Sequence, residues 1–272
     1  MAIREQEHPD GVAELIIDAP PVNALTIADL ELLADLLGSY SRRPAVNVVV
    51  LRGEGRGFVA GGDVKEVQRL DGHQGILGQA SGSLAATVAL HECAVPVIAA
   101  VHNYCIGLGV LLAGSCDIVL CARDTKFVLA EVDNGAAGGA IQASGLMPDK
   151  RLRAAMFTCE PVAAEELERY GSVYAVVDGA GLQGAALDLA GRIAAKPGRA
   201  VRATKLALNA SAGRRIADRY RQELSYTYEL NLLGDAAAAR EQFVTGERPG
   251  YRDSVRRAPA PGKAGHADHP AR

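Results

Sequence analysis

Glu131 stands in the stretch FVLAEVDNGAAGGA, with Leu129, Ala130 and Val132 beside it and a glycine-rich turn behind. A carboxylate among apolar neighbours is costly to bury without a partner, and burial raises its pKa. A raised carboxylate suits general-base work near neutral pH. A surface or helix-capping glutamate is the plainer use of the same residue. Two more glycine turns, FVAGGD (58–63) and CIGLGV (105–110), each follow a strand-like run. Bare backbone lets an N–H approach a ligand, and a turn that opens a helix adds unsatisfied donors and the positive end of a dipole. Two such N–H groups converging on one atom would hold a developing oxyanion, each donor contributing about 3 kcal/mol in a transition state. Tight turns with no ligand would call for the same glycines.

Other chemistries find little support. The G-L-G of residues 107–109 would need glycine at Leu112 to complete a dinucleotide fingerprint. There is no G-x-x-x-x-G-K-[ST] phosphate loop and no G-x-S-x-G nucleophile elbow. Cys93, Cys105, Cys116, Cys121 and Cys159 form no C-x-x-C pair, so buried reduced thiols are expected and no metal site. Cys105 abuts the second glycine turn, but no base accompanies it in the sequence. A net charge of −3 leaves no electrostatic footprint for nucleic acid, and the absence of Trp removes a stacking platform. With no apolar run of membrane length and no apolar leader, the expectation is a soluble, cytoplasmic protein without a membrane partner.

The elements that must carry these turns alternate in kind. Val12–Ile17 reads as a strand, stopped by Pro20-Pro21. Ile27, Leu30, Leu32, Leu33, Leu36 and Leu37 lie close to one helical apolar face. AVNVVVLRG, VPVIAAVHNY and DIVLCA are continuously apolar, as strands of a sheet buried on both faces are. A helix is expected around 79–92, and a short one after the CIGLGV turn. Strand–helix alternation predicts an α/β core with parallel crossovers. Residues 151–170, 181–196, 198–211 and 214–246 read as helices. The expected organisation is a core over 1–197, a helical C-terminal region over 198–250 and a disordered Pro-, Gly- and Ala-rich tail over 251–272.

Taken in order, PPVNAL (20–25), GRGFVAGGDVKE (55–66), VPVIAAVHNYCIGLGVLLAGSCD (95–117), FVLAEVDNGAAGG (127–139), FTCEPVAAEELERYGSVYAVVD (157–178) and ATKLALN (203–209) resemble the crotonase superfamily. These are the enoyl-CoA hydratase/isomerase enzymes, and the resemblance covers roughly residues 5–250. It implies a spiral of ββα units and a C-terminal helical region that builds trimers or dimers of trimers. It also implies an acyl-CoA thioester substrate and no cofactor beyond the CoA that the substrate carries. By the family pattern the thioester oxygen receives the N–H groups of Gly62 and Leu108, while Ala60, Gly62, Asp63, Val64, Lys65 and Leu108 border the CoA. Leu108 departs from the family's usual glycine, although the backbone N–H survives. A second departure bears on mechanism. The slot of the first hydratase carboxylate holds Leu111, Glu131 fills the second, and the dienoyl-isomerase acid would fall on Gly139.

The implied site is therefore a one-carboxylate site. ECAVPVIAAV (92–101), KEVQRLDG (65–72), YGSVYAVV (170–177) and YTYELNLLG (226–234) resemble the members that open steroid rings as CoA thioesters. There, water attacks a ring ketone and the leaving carbanion is a thioester enolate. Double-bond isomerisation, hydration and a catalytically silent structural subunit are the alternatives. Auxiliary candidates are Asp133 and Asn134, close behind Glu131, and His73, in the segment that lines the acyl pocket in this family. His102 and Tyr104 are expected to brace the second turn and Asp63 the first, while Lys205 and Arg202 could meet CoA phosphates or solvent.

Overall fold

The computed structural model describes residues 2–71, 73–211 and 216–245. The expected tail over 251–272 lies outside the described residues. Among the described residues there are eleven strands: β1 (Ile3–His8), β2 (Val12–Ile17), β3 (Ala24–Leu25), β4 (Val48–Gly53), β5 (Gly61–Gly62), β6 (Val97–Val101), β7 (Tyr104–Ile106), β8 (Ile118–Ala122), β9 (Lys126–Val128), β10 (Val162–Ala163) and β11 (Ala175–Val177). The helices are α1 (Ile27–Ser39), α2 (Val64–Arg69), α3 (Gln74–His91), α4 (Leu108–Ser115), α5 (Ala140–Ala143), α6 (Asp149–Thr158), α7 (Ala164–Tyr170), α8 (Leu182–Ala194), α9 (Gly198–Ser211), α10 (Ile216–Leu233) and α11 (Asp235–Thr245). A large sheet runs β1-β2-β4-β6-β8-β11, and a smaller one β10-β9-β7, with β3 and β5 paired separately. All neighbours in the large sheet are parallel except β1 and β2. Each turn of chain thus adds one long strand, then one short strand, then a helix, which is the spiral of ββα units.

Alternation along β4 shows how the sheet is buried. Val48 and Val50 pack with Leu182, Ala186 and Leu189 of α8, whereas Val49 and Leu51 face the core formed with α1, α3 and α4. Successive side chains point to opposite faces, so a strand covered on both sides must be apolar throughout. Glu14 breaks that rule in β2; it is fully buried and is held by Arg52 at 2.8 Å and His8 at 2.7 Å.

Two expected long helices are broken. The 151–170 segment divides at Cys159, whose φ of 53° is left-handed, and β10 intervenes before α7. The 214–246 segment divides at Gly234, with φ of 90°, a conformation that glycine adopts without strain. The apolar stripe of α10 does not wait for another chain throughout: Tyr220 and Leu224 are buried in the core of their own subunit.

Lys205 and Arg202 are not surface charges. Lys205 is 4% exposed and donates to Leu90 O, Val95 O and Asp117 Oδ2, the last at 2.7 Å. It closes the carbonyl end of α3 onto α9. Arg202 donates to the carbonyls of Tyr40, Arg43 and Val46. Two carbonyls and Asp117 occupy Lys205 and three carbonyls occupy Arg202, so neither stands as a free cation for CoA phosphates. Lys205→Met should lower the unfolding free energy by about 3 kcal/mol, because the carbonyls and Asp117 lose their buried partner. Urea denaturation measures this, and a loss of a few tenths of a kcal/mol would contradict the clamp.

Candidate active site

A cavity of about 1330 Å³ is lined by residues that follow the parallel strands: Ala19 to Val22 after β2, Arg56 and Ala60 after β4, Asn103 and Tyr104 after β6, and Asp124 after β8. It lies beyond the carboxyl ends of the strands, where α/β sheets hold their ligands. Asn23 sets the first wall. Its side chain accepts from Ala19 N–H and donates towards the carbonyls of Glu54, Gly57 and Phe58. The loop leading to FVAGGD is thereby pinned to the turn after β2, and β5 then pairs with β3.

The glycine turns meet one another. Ile106 N–H donates to Val59 O at 2.9 Å, and Gly107 N–H donates to Val128 O at 2.7 Å. A methyl group at Gly109 would fall 2.5 Å from Val59 O, so that close approach requires glycine. Gly107 caps α4 with φ of 50°, and α4 begins at Leu108. The Leu108 N–H is therefore among the first helical donors, which the helix itself cannot satisfy. Gly62, Leu108 and Glu131 all line the cavity.

Glu131 is held through its main chain. Its carbonyl accepts from Asn134 N–H and Ala136 N–H, both at 2.9 Å, and Asn134 donates its amide to Ala130 O. Its Oε2 is shut off from solvent and has no hydrogen-bond partner among the described residues. Oε1 sits against the second turn, 3.4 Å from where a Gly107 methyl would lie. Burial pushes the carboxyl up to about 8, and the nearby charge of Glu223 adds to the rise. Glu223 itself accepts from Gly139 N–H and Ile141 N–H at the start of α5.

The enoyl-CoA hydratase/isomerase family model matches residues 7–253. The chain belongs to the enoyl-CoA hydratase/isomerase family. It is 40% identical to a (7aS)-7a-methyl-1,5-dioxo-2,3,5,6,7,7a-hexahydro-1H-indene-carboxyl-CoA hydrolase of Rhodococcus jostii, over 92% of this chain and 96% of that protein. It is 42% identical to the protein of the same name from Mycobacterium tuberculosis, over 86% of this chain and 95% of that one. The crystal structure of an enoyl-CoA hydratase/isomerase from Mycobacterium paratuberculosis shares the fold, with a TM-score of 0.81 at 22% identity over 89% of this chain and 98% of that one.

Against the family pattern, hydrocarbon fills both positions from which a second carboxylate would come. Leu111 is buried and lines the cavity, and a methyl at Gly139 would fall 2.7 Å from Leu111 Cδ1. Gly139 also has φ of 99°, strained for any side chain. Ala60, Asp63, Val64, Lys65, Asp133 and Asn134 line the cavity too. Asp63 accepts from Lys65 N–H and Glu66 N–H, capping α2, which is the bracing role expected of it. Asp133 is exposed.

His73 is not brought to the site. It is exposed at the start of α3, which turns Ile76, Gln79, Ala80 and Ser83 into the cavity instead. His102 bonds Gly55 O at 3.1 Å and the Tyr104 ring packs on Gly57, so both side chains meet the loop that leads to the first glycine turn and not the second turn as expected. Burial pushes the Cys105 thiol up, as befits an inert core residue. Sequence reasoning missed Asn23, Gln79 and the wall from α10 and α11, to which Tyr220, Thr227, Asn231 and Arg240 belong.

Only the ionised carboxylate accepts a proton. With its value raised to about 8, Glu131 is protonated at neutral pH and becomes a base as pH rises. The pH profile of kcat/KM, which reports the free enzyme, should therefore climb about tenfold per pH unit up to pH 7 and level off above about 8. A profile already flat from pH 5.5 upward would contradict the burial.

Proposed function

We propose that this acyl-CoA enzyme opens a ring by hydrolysing the C–C bond between a ring ketone and the α-carbon of a CoA thioester. The observation that carries the reading is a single carboxylate, Glu131, with its Oε2 shut off from solvent, facing a site where Leu111 replaces a second acid. Two relatives spanning nearly the whole chain, both named as hydrolases of a dioxo-hexahydroindene carboxyl-CoA, support the choice of substrate class.

In this mechanism Gly62 and Leu108 donate their N–H groups to the thioester oxygen. Glu131 takes a proton from water, and the hydroxide adds to the ring ketone carbon to give an alkoxide. The alkoxide collapses to a carboxylic acid as the C–C bond breaks, and the electron pair passes into the thioester enolate. Glu131 returns its proton to the α-carbon, and the new acid loses its own proton to solvent. Water is consumed, and no oxidant or second acid is needed. Ala60, Asp63, Val64 and Lys65 border the CoA, and Asp133 flanks the base. The exposed cations Arg56 and Lys65 in the outer lining suit CoA phosphates.

The subunit assembles as a trimer or a dimer of trimers. Leu206, Leu208, Leu232 and Leu233 on α9 and α10 are all more than 60% exposed in the single chain, an apolar surface that association would cover. Light scattering should give three or six times the 28.4 kDa chain mass, and a monomer at micromolar concentration would contradict assembly.

Incubation of the dioxo-hexahydroindene carboxyl-CoA in H2¹⁸O tests the reaction. The expected product is a ring-opened thioester with ¹⁸O in one new carboxylate. Glu131→Gln should lower turnover by about 10²–10⁴ with CoA binding intact. Crotonyl-CoA should be hydrated well below the roughly 10 per second typical of an enzyme on its own substrate. Unchanged bicyclic thioester together with rapid movement of a double bond in a 3-enoyl-CoA would transfer the same lone base to isomerisation.

A further inference from the structure

Hydrolytic ring opening creates two oxyanions, not one. The thioester enolate is the first; the alkoxide formed when water adds to the ring ketone is the second, and it needs donors of its own. The Gln79 side chain stands where such a donor is required. It projects from α3 onto the first glycine turn, and a methyl group at Gly62 would fall 2.2 Å from Gln79 Nε2 and 2.7 Å from its Cδ. A side chain at position 62 would therefore displace the Gln79 amide from this place. Both polar atoms of the amide are buried and have no partner among the described residues. A buried amide that no protein group satisfies costs stability unless a ligand or water in the cavity meets it. Its neighbours on the same wall, Ile76 and Ala80, are apolar, so the amide is a localised polar feature among them.

We infer that Gln79 is a catalytic residue whose amide N–H donates to the oxygen of the attacked ring ketone and to the alkoxide that replaces it. The inference rests on the ring-opening reading. In the proposed reaction the ring ketone is bonded to the α-carbon, and the breaking C–C bond must stand out of the thioester plane, so the ketone oxygen needs a donor above that plane and not in it. The Gln79 amide, flanking Gly62, is the donor assigned to it while Gly62 and Leu108 hold the thioester. The step moves no proton from Gln79: the C=O π pair becomes the alkoxide lone pair, the amide hydrogen bond strengthens, and the pair returns to C=O as the C–C bond breaks. The same residue has no task in α-proton transfer on a thioester that lacks the ketone, and the two activities separate on that ground.

Two reactions of the full-length enzyme are compared in wild type, Gln79→Met and Gln79→Glu. One is ring opening of the dioxo-hexahydroindene carboxyl-CoA. The other is deuterium exchange from D2O at the α-carbon of cyclohexanecarboxyl-CoA, which has a ring and a thioester but no ketone. Gln79→Met keeps length and apolar packing but removes the donor, so ring-opening kcat should fall by about 10²–10³. Gln79→Glu sets a negative charge against the alkoxide and should lose at least as much. Exchange on the ketone-free thioester should stay within about threefold in Gln79→Met, which also shows that the site still folds and binds CoA. Ring opening within about threefold of wild type in Gln79→Met would overturn the inference, as would parallel loss of both reactions, which would place Gln79 in the thioester site. A larger loss of ring opening in Ser83→Ala than in Gln79→Met would give the ketone to Ser83, the other polar residue on that wall. Failure of the wild type to open the ring would instead remove the hydrolase reading, and this inference with it.

Discussion

The constraint on which the site depends is the burial of one carboxylate with no countercharge. Glu131 Oε2 has no partner among the described residues; burial raises the proton affinity of the carboxyl, its own backbone N–H offsets part of that, and the charge of Glu223 adds a smaller rise. Such a group is tolerated because it can remain neutral at ordinary pH, and it is kept in place by bonds to its backbone carbonyl that leave Oε2 unpartnered. Asn134 and Ala136 grip its carbonyl, and Gly107 leaves room for Oε1. The same arrangement that costs the fold stability leaves the carboxylate basic enough to deprotonate water.

Around that base the turns are fixed by contacts that leave few other residues admissible. Gly109 passes against Val59 O, Gly139 against Leu111 and Gly62 against Gln79. Each glycine is set by a specific neighbour, so the three turns are one packed unit and not three independent loops. Leu111 and Gly139 interlock at the place where a second acid would stand, which turns an absent carboxylate into a shaped apolar wall. In the proposed reaction water activation then falls to one residue, and stabilisation of charge falls to N–H donors.

Much of this was legible in the sequence, and the exceptions have physical causes. The apolar strands, the glycine turns and Glu131 were readable because burial on both sheet faces and positive-φ turns restrict residue types strongly. Lys205 and Arg202 were misread because long cations default to solvent; only the carbonyl ends brought together by α3, β6 and α1 show that backbone consumes them. Asn23 lies within a recognisable motif, but its bonds to Glu54, Gly57 and Phe58 cross more than 30 residues and leave no local pattern. The break at Cys159 is a left-handed residue without glycine, for which composition offers no sign. Gln79 was invisible for a related reason: a polar residue on a helix is ordinarily solvated, and only the tertiary fold places it on Gly62.

The central claim is that Glu131 is a desolvated base, and direct titration of its carboxyl tests it most closely. In protein labelled with ¹³C at glutamate side-chain carboxyls, Glu131→Gln removes and so assigns one resonance. This resonance should titrate near 8. Titration near the ordinary glutamate value of about 4.3 would show a solvated carboxylate and contradict the site as described.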